Sequence, residues 1–100
     1  METRHTGPRV VMVVEDDANI ERVVQRALKS EGYKVLVAPR PAEALDTARV
    51  FGSWVDLVLC DSDALASELT AILPDSRVEL FSGTEVELDV VQRVRALLAS

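Results

Sequence analysis

The chain has 100 residues, of which 48% are hydrophobic, and its 17 acidic and 11 basic residues give a formal net charge of −6. This length fits one domain with its own core, and the negative charge argues against direct binding to nucleic acid or to an anionic membrane. No apolar run is long enough for a membrane span and the first residues are polar, so we expect a cytoplasmic protein without a signal peptide. The single cysteine excludes an internal disulfide.

Residues 1–9 are polar and include Gly7-Pro8, so they are predicted to form a flexible arm, with residues 10–100 as one domain. The first strand is predicted at Val10–Val14, where four of the five residues are β-branched and no polar residue alternates with them. Such a run is typical of a strand buried on both faces in a parallel sheet. It leads directly into three carboxylates, at the sheet edge where open α/β sheets bind their ligands.

Asp17 precedes a helix that is predicted over residues 18–30 from its apolar spacing, with Gly32 as the C-terminal stop. Asp17 stands where an N-cap belongs, so a capping role competes with a ligand role.

The rest of the chain continues the alternation of strand and helix. The predicted elements are a strand at Tyr33–Val37, a helix from Pro41 to Phe51, a strand at Val55–Cys60, a helix at Ala64–Leu73, a strand at Arg77–Phe81 and a last helix from a capping box at Thr84–Glu87 to Ala99. Right-handed crossovers then give an α/β fold with helices on both faces of a parallel sheet.

Polar residues follow three of the four predicted strands, and the carboxyl ends of parallel strands share one edge of the sheet. Topology therefore brings together Glu15, Asp16, Asp17, Asp61, Asp63, Ser82 and Thr84. Clustered carboxylates repel one another unless a cation relieves the repulsion, and hard oxygen ligands of this kind suit Mg²⁺. For any single residue, a role in a loop or a cap remains the competing interpretation.

The pattern resembles the receiver domains of two-component response regulators. The resemblance rests on three stretches, Val13-Val14-Glu15-Asp16-Asp17, Asp56-Leu57-Val58-Leu59-Cys60-Asp61 and Ser82-Gly83. It extends over nearly the whole chain after Arg9. It implies a flavodoxin-like (CheY-like) doubly wound sheet with strand order 2-1-3-4, and a signalling domain rather than an enzyme.

The resemblance also implies a role for each matching residue. Asp61 becomes the phosphoryl acceptor and, with Glu15 and Asp16, a ligand of Mg²⁺. The backbone carbonyl of Asp63 completes the metal shell, and Ser82 is the hydroxyl that follows the phosphoryl group. The implied partner is a histidine kinase or a phosphotransfer protein.

Two features depart from the family pattern. Receiver domains have a fifth strand that ends in a lysine, whereas here a single helix follows the fourth strand. The lysines Lys29 and Lys34 are both predicted at the opposite edge of the sheet from the carboxylates. Arg40 leaves the second strand at the correct edge and is the weaker candidate for the missing cation. The loop Ser62-Asp63-Ala64 also lacks the usual proline and glycine.

Three functions therefore stay open: a phosphorylatable receiver, a degenerate receiver that acts through protein contacts alone, and a nucleic-acid enzyme. The last arises because Glu15 with Asp61-Ser62-Asp63 also resembles the Toprim domains of topoisomerases and primases, which hold Mg²⁺ for phosphodiester chemistry. No glycine follows Glu15, however, and the net charge disfavours nucleic acid.

Without a fifth strand, the strand at Arg77–Phe81 is an uncovered edge that contains Val78, Leu80 and Phe81. Uncovered edges pair readily with other chains. A homodimer through the edge of this strand or through the last helix is therefore predicted.

Overall fold

The computed structural model describes residues 7–81 and 87–98, without the side chains of residues 87 and 88. In this part of the chain four strands alternate with four α-helices: β1 Val10–Val14, α1 Ala18–Ser30, β2 Lys34–Ala38, α2 Pro41–Phe51, β3 Leu57–Cys60, α3 Asp63–Ile72, β4 Arg77–Leu80 and α4 Glu87–Leu98. A single 3-10 turn, Gly52–Trp54, follows α2. The strands are parallel and hydrogen-bonded in the order β2-β1-β3-β4, which confirms the predicted fold class and strand order.

β1 is an interior strand of the sheet, because it pairs with β2 on one side and with β3 on the other. All five of its residues are buried, and Val11 lies between Val35 of β2 and Leu57 of β3. β3 is buried along its whole length as well. The uninterrupted apolar runs therefore correspond to strands that are covered on both faces, as their composition predicts.

The helix boundaries follow local chemistry. The Asp17 carboxylate accepts hydrogen bonds from the N–H groups of Asn19 and Ile20, at 2.9 and 3.2 Å, and so caps the start of α1. After α1 the chain turns through Gly32, whose φ of +93° favours glycine. Pro41 occupies the first turn of α2, where a missing N–H costs no hydrogen bond. These three sequence predictions are confirmed. The ends of β1, α1 and α2 are as predicted, and those of β2, β3, α3 and β4 differ from the prediction by one or two residues. The cap at Thr84 and the helix end at Ala99, both predicted for the last helix, lie outside the described residues.

The sheet separates two apolar cores. On one face, α1 and α4 pack over Val11, Val13, Leu57 and Leu59. On the other face, α2 and α3 pack over Met12, Val14, Val58 and Cys60. Successive residues of β1 and β3 point to opposite faces, so these two strands contribute to both cores.

The position of α4 is the unexpected feature of the fold. α4 packs against α1, whereas the crossover helices α2 and α3 cover the other face. Strand order moves in one direction from β1 to β3 and β4, so a right-handed connection from β4 to a further strand would place its helix beside α3. In the described residues α4 instead lies on the opposite face, beside α1, so its position is not that of a crossover helix leading from β4 to a further strand.

Within residues 7–81 and 87–98, no helix combines the length and the apolar character that crossing a bilayer requires.

Candidate functional site

Glu15 and Asp61 follow neighbouring strands at the same edge of the sheet. β1 and β3 are in register, with Val11 opposite Leu57 and Val13 opposite Leu59. The same offset places Glu15 beside Asp61, one residue beyond the end of each strand. The structure thus brings together the two carboxylates that sequence topology placed at this edge.

Glu15 is held in place by main-chain contacts. Its side chain is buried, and one carboxylate oxygen accepts a hydrogen bond from the Asp17 N–H at 3.0 Å. The Glu15 N–H in turn donates to the carbonyl of Ala38, which ends β2. The carboxylate is therefore fixed between β1 and the start of α1, with little freedom to move away from Asp61.

The surroundings of Glu15 favour its neutral form. Burial is the main cause that raises the pKa of this carboxyl, and the hydrogen bond from Asp17 opposes it. The charges of Asp61 and Asp16, and a side-chain hydrogen bond with Asp16, raise the pKa further. These three carboxylates are close enough to repel one another, and a bound cation would relieve that repulsion.

The remaining candidates are distributed around this group. Asp16, Asp61 and Asp63 are exposed to solvent. Asp17 uses its carboxylate to cap α1, as the structural interpretation of this residue predicted. Ser82, the predicted switch hydroxyl, and Thr84 lie outside the described residues.

The sequence interpretation missed the role of Ser62. Its hydroxyl accepts a hydrogen bond from the Leu65 N–H at 3.3 Å and caps α3, which begins at Asp63 rather than at Ala64. A serine directly before an apolar helical run is the signal that could have revealed it. The positive end of the α3 dipole consequently lies next to Asp61, where it favours negative charge.

The early start of α3 also affects the carbonyl of Asp63, the predicted fourth metal ligand. Asp63 is the first residue of the helix, and helical carbonyl oxygens point toward the C-terminal end. In this conformation the carbonyl of Asp63 is therefore directed along α3. The absence of proline and glycine from this loop explains why the helix can begin so close to Asp61.

The donor set fits Mg²⁺. In the described ranges, no three His, Cys, Asp or Glu side chains form a ready-made metal-binding group. Mg²⁺ does not need one, because it commonly takes one or two carboxylates and completes its octahedron with waters and phosphate oxygens. Glu15, Asp16 and Asp61 supply hard oxygen atoms at one edge, and the negative charges of Asp61 and Asp16 add to burial in raising the pKa of Glu15.

The positions of the basic residues differ from the receiver pattern. Lys29 lies in the last turn of α1 and Lys34 begins β2, so both are at the sheet edge opposite the carboxylates, as predicted. Arg40 follows β2 at the correct edge, but its exposed guanidinium pairs with Glu43 at 3.1 Å. This pair lies at the start of α2, so the partner that the structure gives the Arg40 guanidinium is Glu43.

Cys60 belongs to the core rather than to the site. It is buried, and its thiol lies 3.8 Å from the carbonyl oxygen of Ser62. Burial is the main cause that raises the pKa of the thiol, and the negative charges of Asp61 and Asp63 add to it. The thiol is therefore protonated at neutral pH, which makes it a poor nucleophile.

An open groove of about 490 Å³ lies at the other edge of the sheet, between the C-terminal ends of α2 and α3. Arg49 and Asp75 are among its lining residues. The groove is remote from Glu15 and Asp61 and contributes nothing to the chemistry of the carboxylate edge.

Comparison with protein-family models finds no match, and no curated protein matches the sequence. Solved structures do match. A response regulator from Thermotoga maritima is 22% identical, with a TM-score of 0.78 over 93% of this chain and 99% of that chain. The receiver domain of the hybrid histidine kinase CckA is 24% identical, with a TM-score of 0.83 over 89% and 98% of the two chains.

A third match is the response regulator TrrA from Thermotoga maritima, solved in complex with Mg²⁺-BeF. It is 23% identical, and the alignment covers 90% of this chain and 99% of that chain with a TM-score of 0.67. At such identities the likeness concerns the fold. The chain therefore has the CheY-like fold of response-regulator receiver domains.

Proposed function

We propose that the chain is a signalling receiver that accepts a phosphoryl group on Asp61, with Mg²⁺ held by Glu15, Asp16 and Asp61. The observation that carries this proposal is the pairing of a buried Glu15 with an exposed Asp61 at the C-terminal edge of a receiver-type sheet. One carboxylate is fixed and the other is accessible, which suits a metal ligand and a nucleophile respectively.

The proposed chemistry is an in-line displacement at phosphorus. A carboxylate oxygen of Asp61 forms the new O–P bond while the bond from phosphorus to the donor breaks and the leaving atom keeps the electron pair. Mg²⁺ would offset the charge of two approaching anions. The helix dipole of α3 beside Asp61 supplies a further favourable field for the phosphoryl oxygens.

The proposed donor is a phosphohistidine of a histidine kinase or of a phosphotransfer protein. One matching receiver domain belongs to a hybrid histidine kinase, which makes this class of partner the natural choice. Ser82 is the proposed hydroxyl that follows the phosphoryl group, because in the sequence it comes two residues after Leu80, the last residue of β4.

A second candidate function is a degenerate receiver that regulates a partner through protein contacts without phosphorylation. The observation that favours it is the position of Lys29 and Lys34 at the far edge, together with the pairing of Arg40 with Glu43. A preorganised cation beside the transferring group typically contributes much of the rate. A site without one could retain the metal and lose phosphotransfer.

The deciding experiment is incubation with Mg²⁺ and a small phosphodonor such as acetyl phosphate, followed by intact-protein mass spectrometry. The phosphorylatable receiver gains one phosphoryl mass, and Asp61→Asn abolishes the gain. Asp63→Asn, in the first turn of α3, is the matched control, because the Asp63 side chain has no role in the proposal. No mass gain in the unmodified protein, under conditions that label an ordinary receiver, would favour the degenerate receiver.

Metal binding can be measured separately from phosphotransfer. Mg²⁺ that binds only the folded protein raises the thermal midpoint, and the stabilisation grows with the logarithm of one plus the ratio of the Mg²⁺ concentration to Kd. We expect this shift in the unmodified protein and a loss of it in Glu15→Gln and Asp61→Asn. A shift of equal size in both variants would exclude these carboxylates as the metal ligands.

A further inference from the structure

β4 is the outer strand of the described sheet, and half of its main-chain groups face away from the sheet. The N–H of Arg77 donates to the carbonyl of Asp56 at 3.1 Å, and the N–H of Phe81 donates to the carbonyl of Cys60 at 2.7 Å. In a parallel ladder alternate residues bond to the same neighbour. The N–H and C=O groups of Val78 and Leu80 therefore point outward.

The side chains of β4 divide between the two faces of the sheet. Glu79 lies 3.8 Å from Arg93 of α4, so Glu79 and Arg77 are on the face covered by α1 and α4. Val78 packs against the core beneath α2 and α3, and Leu80 is 45% exposed. The edge thus presents an acid and a base on one face and apolar side chains on the other.

Two identical edges can pair about a two-fold axis only as antiparallel strands, and outward residues must then oppose outward residues. Two of these registers pair three residues of β4 with one another. Val78 opposite Leu80 puts Glu79 opposite Glu79, which places like charges together. Val78 opposite Val78 puts Arg77 opposite Glu79 at two symmetric positions, and directly opposed charges of unlike sign stabilise a strand pair.

We propose that two copies of this chain dimerise through β4 in the register that places Val78 opposite Val78. The two Val78 residues exchange main-chain hydrogen bonds, and Arg77 of each copy pairs with Glu79 of the other. The sheet then continues across the two-fold axis as eight strands. The dimer does not depend on phosphorylation, so its tests need neither Mg²⁺ nor a phosphodonor.

Two main-chain groups at the ends of the proposed intermolecular ladder already have hydrogen-bond partners within their own chain. The guanidinium of Arg93 donates to the carbonyl of Leu80 at 2.5 Å, and the N–H of Ser76 donates to the carbonyl of Leu73 at 3.2 Å. Leu80 and Ser76 oppose each other in the proposed register. Because both groups have partners, the intermolecular ladder is short and centred on Val78, and the charge pairs flanking Val78 set its specificity.

The last helix offers a poorer interface. Val90, Val91 and Val94 of α4 are all buried within the chain, against the core shared with α1. These residues are therefore not available to a second copy. Of the two dimer surfaces that the sequence suggested, the β4 edge is the one the contacts favour.

Charge reversal at Arg77 and at Glu79 provides the test. Dimerisation is measured by sedimentation velocity and by amide hydrogen exchange. Arg77→Glu alone, and Glu79→Lys alone, each convert two attractive pairs into two repulsive ones. We expect the dissociation constant of each variant to rise by about tenfold to a hundredfold. An equimolar mixture of the two variants restores both attractive pairs and should form a heterodimer with the affinity of the unmodified protein.

Matched controls keep this test specific. Arg49→Glu and Glu43→Lys make the same charge changes at exposed positions of α2, and both should leave the dissociation constant unchanged. In the unmodified protein, exchange of the Val78 amide should slow as concentration rises, whereas exchange of the Arg77 amide should not change.

Three results would overturn the proposal. The first is an unmodified protein that stays monomeric up to its solubility limit. The second is a mixture of folded Arg77→Glu and Glu79→Lys chains that forms no heterodimer. The third is a control variant that weakens association as much as the β4 variants do, since the association would then depend on net charge alone.

Discussion

At the scale of single residues, Asp56, which directly precedes β3, forms hydrogen bonds to both β1 and β4 at the N-terminal edge of the sheet. Its side chain is only 4% exposed, and the carboxylate accepts a hydrogen bond from the Val10 N–H at 2.8 Å. Arg9 lies 3.7 Å from the same carboxylate. The main chain of Asp56 bonds to Val10 of β1 through its N–H and to Arg77 of β4 through its carbonyl.

Replacing Asp56 should therefore lower the free energy of unfolding. The loss should depend on whether the new side chain can still accept the hydrogen bond from the Val10 N–H. Asp56→Ala leaves the buried N–H of Val10 without its side-chain acceptor, so we expect a loss of about 1–3 kcal/mol in the free energy of unfolding. Asp56→Asn keeps an oxygen in this position and should lose less. Urea denaturation measures both values, and equal losses would mean that the charge of Asp56, rather than its hydrogen bond, is what matters.

Asp56 stabilises the fold, whereas the ionised carboxylate of Glu15 lowers the free energy of unfolding at neutral pH. Burial and the nearby charges of Asp61 and Asp16 raise the pKa of this carboxyl above its ordinary value of 4.5. Between the ordinary pKa and the raised pKa, the folded protein binds more protons than the unfolded chain. The free energy of unfolding therefore falls as pH rises through this interval, and the loss is complete above the raised pKa.

Glu15→Gln should remove this loss, because the amide carries no charge and still offers an oxygen to the Asp17 N–H. We expect the stability of the variant to fall less than that of the unmodified protein when pH is raised from 4.5 to neutrality. Chemical denaturation across this range measures the difference. Asp75→Asn, at an exposed position of the opposite edge, is the control and should follow the unmodified protein. A parallel pH dependence in Glu15→Gln would contradict the prediction.

The sequence was sufficient to predict the cap at Asp17 and the position of Glu15 beside Asp61, but not the contact between Asp56 and Val10. Asp17 could be identified as a cap because capping is local, and Glu15 and Asp61 could be brought together because parallel strands share an edge. Asp56 was recognised only as the start of a stretch, Asp56 to Asp61, that resembles receiver domains. Its partner Val10 is 46 residues away, and the contact depends on the register of β1 against β3, which no local pattern encodes.

At the scale of elements, the sequence predicted α4 but not the face of the sheet that it covers. The right-handed crossover rule assigns a helix to one face of the sheet only when the strand after that helix pairs in the same sheet. No paired strand follows β4 in the part of the chain that the structure describes, so packing determines the face that α4 covers. Arg95 of α4 pairs with Glu31, just after α1, and Arg93 pairs with Glu79 of β4. These ion pairs join α4 to the elements beside it.

The apolar side of α4 should contribute strongly to stability. Val94 is fully buried in the core shared with α1. Val94→Ala removes two buried methyl groups, so we expect a loss of about 2 kcal/mol in the free energy of unfolding. Gln92→Ala, at an exposed position two residues away, is the control and should change stability by less than about 0.5 kcal/mol. Equal effects of the two substitutions would mean that α4 is not packed against α1.

At the scale of the whole molecule, the two cores are coupled through the central strands. Val11 and Val13 of β1 point into the core beneath α1 and α4, while Met12 and Val14 point into the core beneath α2 and α3. Neither core can lose its share of β1 without exposing the other. A chain of this size with shared central strands should therefore unfold as one cooperative unit.

This coupling predicts the behaviour of variants on the two faces. Leu69→Ala, in the core beneath α2 and α3, should lower the free energy of unfolding by about 2–5 kcal/mol. Trp54, the only tryptophan, follows α2 and reports on that face through its fluorescence, whereas far-UV circular dichroism reports on the whole chain. Because the cores are coupled, Val94→Ala should shift the fluorescence midpoint and the dichroism midpoint together, although Val94 lies across the sheet from Trp54. A Val94→Ala protein whose Trp54 transition stays at the midpoint of the unmodified protein, while its dichroism shifts, would show that the two faces unfold independently.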